Sequence, residues 1–147
     1  MTLLDAQEYD SARARRRRIK IAGVVVIVLI IAGLIWTFRY LPQERLVNHF
    51  FDALQNKDYE TAYGIWLHDP QWKQHPQQYH DYPFNDFYRD WGPGGEWGLI
   101  KSHKIYGATS PKGESSGIIV EVVVNGRVER ARVWVEKKDK TLSFSPF

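Results

Sequence analysis

Between residues 68 and 90 the sequence collects His68, Asp69, His75, His80, Asp81, Asp86 and Asp90. Histidine and carboxylate side chains are the usual proton carriers, so this is where acid–base chemistry would be sought. An acid–base pair needs a His and a carboxylate within hydrogen-bond reach of one substrate atom. The competing reading is loop chemistry, because Asp caps helices and turns and His suits a polar loop among aromatics. A metal centre is less supported. His75 and His80 lie five residues apart, which does not put them on one helical face, and no HExxH pattern accompanies them. The run Gly92-Pro93-Gly94-Gly95-Glu96-Trp97-Gly98 superficially matches a phosphate-binding loop. It follows no strand, opens no helix and is not followed by Gly-Lys-Ser/Thr, so it reads as a turn. The chain has no cysteine, which excludes disulfides, thiolate metal sites and a cysteine nucleophile. No catalytic, cofactor-binding or metal-ligating residue is assigned.

The same segment is rich in aromatics. Trp66, Trp72, Tyr79, Tyr82, Phe84, Phe87, Tyr88, Trp91 and Trp97 fall within about thirty residues. Large rings bury about 150–250 Å² each, and a small domain needs them for its core. Trp and Tyr also concentrate at binding hot spots. Trp66, Trp72, His80, Tyr82, Phe87, Trp91 and Trp97 are therefore the candidate partner or pocket surface.

These side chains must be positioned by the elements around them. Leu46, Val47, Phe50, Phe51 and Leu54 recur at helical spacing after Pro42, which suits a first helical turn. Asp58 is placed to cap a second helix whose apolar side carries Ala62, Tyr63 and Trp66. Residues 83–90 predict a short third helix. Beyond it the pattern is sheet: one strand over residues 96–108 with a bulge or bend, then residues 117–124, 128–137 and 141–145. Asn125-Gly126 is a strong hairpin signal, since both central positions of a type I′ turn need positive φ. A two-residue loop there would set Glu121 opposite Arg130, Val120 opposite Ala131 and Ile118 opposite Val133, with charge on one face and apolar groups on the other.

Ahead of all this lies the apolar run IAGVVVIVLIIAGLIWTF at residues 21–38, preceded by Arg15, Arg16, Arg17, Arg18 and Lys20. Crossing a bilayer core of about 30 Å takes roughly 20 helical residues, so the run suffices if Ile19 and Leu41 extend it. A cleavable signal peptide would have a shorter core and small residues after it; Leu34, Ile35, Trp36 and Thr37 follow Gly33 instead. Six Lys/Arg precede the run, whereas Arg39 and Arg45 follow it closely, which predicts a cytoplasmic N-terminus. Ala22, Gly23, Ala32 and Gly33 put small residues where another membrane helix could approach. Residues 1–20 carry six basic and three acidic groups. The whole chain is +3, so residues 21–147 sum to zero. A nucleic-acid reader would carry its charge on the folded domain, and none is expected as a partner.

Helix, helix, irregular aromatic segment with a short helix, then an antiparallel meander: this order resembles the nuclear transport factor 2-like superfamily. LVNHFFDALQNKDYETAYGIW, residues 46–66, is similar to its opening helix pair, and residues 96–145 to its closing strands. The resemblance implies an α+β fold in which helices pack into a curved antiparallel sheet, giving a cone. The superfamily includes isomerases, dehydratases and SnoaL-like cyclases, and also non-catalytic domains, among them single-pass subunits of type IV secretion systems. In its enzymes the catalytic groups project inward from core helices and strands, and residues 68–90 do not align onto such positions. The expectation is a cytoplasmic basic tail (1–18), a transmembrane helix (19–41) and an extracytoplasmic domain (42–147). This would make the chain a single-pass protein of the inner (plasma) membrane, its domain periplasmic in a bacterium or else extracellular. It would act as a non-catalytic accessory or assembly subunit, with the lipid bilayer and other membrane-complex subunits as partners and no cofactor. The alternative is a ligand-binding or isomerase-type domain using the cone cavity.

Overall fold

The computed structural model describes residues 11–113 and 116–146, and residues 1–10 of the polar tail lie outside them. The chain divides into two compact units, Met1–Arg39 and Tyr40–Phe147. In the first, helix α1 runs over Ser11–Phe38, so the helix begins before the basic block and continues without a break into the apolar run. Its large apolar side chains, from Ile19 to Phe38, are all at least half exposed. By length and composition this helix suffices to cross a membrane. Thr37, the one polar residue in the run, donates its hydroxyl to the Gly33 carbonyl at 2.8 Å. The Arg39 guanidinium sits 3.8 Å over the Trp36 ring.

The second unit is α+β. Helices α2 (Leu41–Gln55), α3 (Tyr59–Leu67) and α4 (Phe84–Trp91) precede strands β1 (His103–Thr109), β2 (Gly117–Val124), β3 (Arg130–Glu136) and β4 (Leu142–Phe144). The strands form an open four-stranded antiparallel meander in sequence order. The helix signals in the sequence are realised. Pro42 lies in the first turn of α2, and the Asp58 carboxylate accepts from the Thr61 amide at 3.1 Å. Val47, Phe50, Phe51 and Leu54 of α2 are buried together with Ile118, Val120 and Val122 of β2 and Val133 and Val135 of β3. In the ring packing, Phe50 meets Phe51, Trp66 and Trp91 with ring centres 5.1–5.3 Å apart.

Two expectations about the sheet need correction. Residues 96–102 are not strand, and only His103–Thr109 pairs with β2. The ladder shifts between Ile105 and Gly107, so the bulge turns Tyr106 outward, where the Arg130 guanidinium covers its ring at 3.3 Å. The hairpin register also differs, by two residues. Asn125 and Gly126 do adopt φ of 52° and 68°, and the Arg127 amide closes the turn on the Val124 carbonyl at 2.9 Å. Strand β3 nevertheless starts only at Arg130, so Glu121 faces Arg132, Val120 faces Val133 and Ile118 faces Val135. A shift of two keeps every side chain on its expected face. Residues 127–129 bulge out of the ladder, and Val128 is 97% exposed.

On the face turned away from the helices, Trp134 lies flat over Gly117. A Cβ there would stand 2.1 Å from a ring carbon. The indole needs a position without a side chain, and Gly117 supplies it. Gly117→Ala should therefore push Trp134 aside and destabilise residues 40–147 by about 1–3 kcal/mol, despite the usual gain from replacing a strand glycine. Urea unfolding followed by circular dichroism tests this, and an unchanged midpoint would reject the packing.

Candidate functional site

The site is built where the glycine-rich turn leaves α4. A Cβ on Gly92 would stand 2.3 Å from the Tyr88 carbonyl oxygen, and one on Gly95 2.0 Å from that of Asp90. Only glycine lets the chain fold back this closely on the end of the helix, bringing Glu96 and Trp97 beside Trp91. The Gly92, Gly95 and Gly98 amides donate to the Tyr88, Gly92 and Gly95 carbonyls at 2.8–3.0 Å, so these donors are not turned to a phosphate. Residues 96–102 are then held by the hairpin turn. The Asn125 amide oxygen accepts from the Lys101 and Ser102 amides at 2.7 and 3.2 Å, and its NH₂ donates to the Leu99 carbonyl at 3.0 Å. Arg127 donates to the Glu96 carbonyl at 3.0 Å, with its guanidinium 5.7 Å over the Trp97 ring.

The result is a groove of about 600 Å³ over Trp91, Trp97 and Phe144, with an adjoining hollow of about 350 Å³ sharing the same rings. Phe144 is half exposed and parallel to Trp91, ring centres 5.7 Å apart. The wall from the sheet is charged. Glu121 is held by Arg130 at 2.9 Å and Arg132 at 3.2 Å. Glu96 and Glu129, also on the groove, make no ion pair among the described residues. Trp91 is 3% exposed, and its buried indole N–H has no acceptor among the described residues. The aromatic floor and two carboxylates without an ion pair among the described residues suit a cationic group.

The residues singled out in the sequence separate. Trp66 and Phe87 belong to the core and present no surface. Trp91 and Trp97 are buried but floor the groove. Trp72 lies elsewhere, in a second groove of about 640 Å³ with Leu46, Ile65 and His68, its indole donating to the Glu60 carbonyl at 3.3 Å. Tyr82 donates to Asp90 at 3.0 Å, and burial, then Asp90, raises its pKa. His80 and Asp81 approach to 3.0 Å, but on the open surface, 72% and 93% exposed. Asp69 accepts from Tyr79 at 2.7 Å, from the Gln71 amide at 2.8 Å and lies 3.1 Å from His75. The Tyr79 hydroxyl lowers the Asp69 pKa, while burial and Asp69 push Tyr79 up to about 12. Asp86 pairs with Arg89 at 2.9 Å. The polar residues of 68–90 are thus tied into several local contacts, and no group of three His, Asp or Glu among the described residues could hold a metal ion. Ala22, Gly23, Ala32 and Gly33 are exposed on α1, with nothing within 4 Å of a Cβ at either glycine.

Comparison with protein-family models, with curated proteins and with solved structures found no match. Function has to be argued from the chain itself.

One titratable group escaped the sequence reading because its partners are distant in the chain. His103 at the start of β1 stacks on Phe51, ring centres 5.7 Å apart. Its Nδ1 lies 2.9 Å from Gln55 and its Nε2 3.2 Å from Asn48. Asn48 donates to Asp52 at 2.9 Å, which turns the Asn48 oxygen toward the ring. Burial lowers the His103 pKa, and Asp52, 3.5 Å away, offsets part of the fall. No described groove is lined by His103, and it acts as a clasp between α2 and β1. The unfolded chain titrates near pH 6.5. Folded His103 refuses the proton until lower pH, so its contribution is complete above about 6.5 and lost as pH falls below it. Thermal unfolding of residues 40–147 should show a falling Tm from about pH 7 to about pH 5, with a shallower fall in His103→Gln. Parallel profiles would refute the assignment.

Proposed function

We propose that this chain is a single-pass membrane protein whose C-terminal domain binds a partner protein as an accessory or assembly subunit of a membrane complex. The observation that carries the reading is α1, apolar on every side over residues 21–38, with its side chains exposed. Such a surface about 27 Å long matches the hydrocarbon thickness of a bilayer and has no use in water. The basic residues before it favour a cytoplasmic N-terminus and an extracytoplasmic domain, periplasmic in a bacterium. The order of helices and meander supports the resemblance to the nuclear transport factor 2-like superfamily, whose cone gives helices and a curved sheet a common core.

The groove over Trp91, Trp97 and Phe144 is the binding surface in this reading. Half-exposed Phe144 and protruding Val128 are apolar, and buried Trp with Arg nearby is the composition of an interface hot spot. The free carboxylates of Glu96 and Glu129 fit a partner segment carrying a Lys or Arg side chain, which the aromatic floor would also attract.

Full-length protein extracted in mild detergent should migrate as an assembly larger than its monomer. Glu96→Lys with Glu129→Lys should return it to monomer size while leaving its circular dichroism unchanged. A wild-type protein that is monodisperse and monomeric would overturn the subunit reading. Topology is checked separately: a tag after Phe147 on sealed inner-membrane vesicles, cytoplasmic face outward, should resist protease until detergent is added. Degradation in intact vesicles would reverse the orientation.

A further inference from the structure

The continuity of α1 gives its basic block a geometry that a flexible tail would lack. Arg15, Arg16, Arg17, Arg18 and Lys20 lie on the same helix as the apolar run, and all are exposed. At 3.6 residues per turn, four consecutive arginines point to all sides of the axis, and residues 15–20 occupy only about 7.5 Å of its length. The headgroup layer on one side of a bilayer is about 5–8 Å thick. If residues 21–38 fill the hydrocarbon core, the five cations form a collar at headgroup depth. No acidic residue lies between residues 11 and 43 to neutralise it. Four of the five are arginines, whose planar guanidinium can donate two parallel hydrogen bonds to a phosphate.

We propose that this collar binds anionic phospholipid headgroups and gathers a negatively charged annulus around the span. The proposal rests on the membrane reading above and adds a lipid class to it. Setting orientation needs only an excess of Lys/Arg near the end of the span. Helical order through the block goes further, because it fixes every charge at one depth and spreads them round the axis, where neighbouring lipids from all directions meet a cation.

Full-length protein reconstituted in phosphatidylcholine vesicles, with spin-labelled phosphatidylglycerol or spin-labelled phosphatidylcholine as probe, tests this. The motionally restricted fraction read by electron paramagnetic resonance should be severalfold larger for phosphatidylglycerol. It should shrink toward the phosphatidylcholine value in high salt, and reach it when Arg15, Arg16, Arg17 and Arg18 are all replaced by Gln. Equal restriction of the two probes by wild-type protein would overturn the collar, as would full selectivity in the four-Gln variant. Alkaline extraction of the same vesicles separates the two levels. Protein released by it would refute the span itself, whereas protein retained without selectivity refutes only the collar.

Discussion

Residues 96–102 leave a helix and reach a strand without regular structure, and their backbone polar groups must find partners from elsewhere. One side chain meets much of that need. The Asn125 amide makes three hydrogen bonds to Leu99, Lys101 and Ser102, and its own backbone N–H reaches the Ser102 carbonyl at 2.9 Å. Asn is suited to this because its side chain both donates and accepts, and because it tolerates the positive φ of the turn. Much of the C-terminal half follows. The turn is anchored sideways to the loop, Arg127 is drawn to Glu96 and Trp97, and β3 joins the ladder only from Arg130. The groove lies between the two segments so joined.

The helices were legible because their signals are local. Apolar spacing, Pro42 at a start and Asp58 at a cap each act within one or two turns, and no distant contact competes with them. The turn at Asn125-Gly126 was legible for the same reason. The register was not, because it was decided by Arg127 reaching a carbonyl thirty-one residues earlier. Likewise residues 96–102 have strand-like composition, yet the close return at Gly92 and Gly95 holds them away from the ladder. Alternation of charged and apolar positions survived the shift, since it encodes faces and not partners. That is why Glu121 still finds Arg130, now diagonally, as well as Arg132.

The candidate site was legible in part. Trp91 and Trp97 could be named from aromatic density, but density could not separate them from Trp66 and Phe87, which do not line the groove. Glu96, Glu129 and Phe144 carried no signal, because they come from three segments that only the fold brings together. The His and Asp residues of 68–90 drew attention by crowding. Their crowding has a local cause: a loop without ladder hydrogen bonds uses short polar side chains to hold itself. Asp69, with its three neighbours, is the clearest case. His103 stood apart from that crowd in a strand, and its partners come from a helix about fifty residues away.

An open meander has two free edges, each a row of backbone groups able to recruit a strand from another copy. This sheet gives such a strand little to copy. At one edge, β4 offers three residues, too short a template for a stable extra ladder. At the other, β1 is long enough, but its bulge between Ile105 and Gly107 breaks the repeat midway, and exposed Lys104 adds charge beside the break. Bulges and edge lysines are how natural sheets discourage fibrillar stacking. Held at a membrane, as proposed above, the domain would meet copies of itself far more often than one diluted in three dimensions. The kink that turns Tyr106 outward then helps to keep such encounters brief.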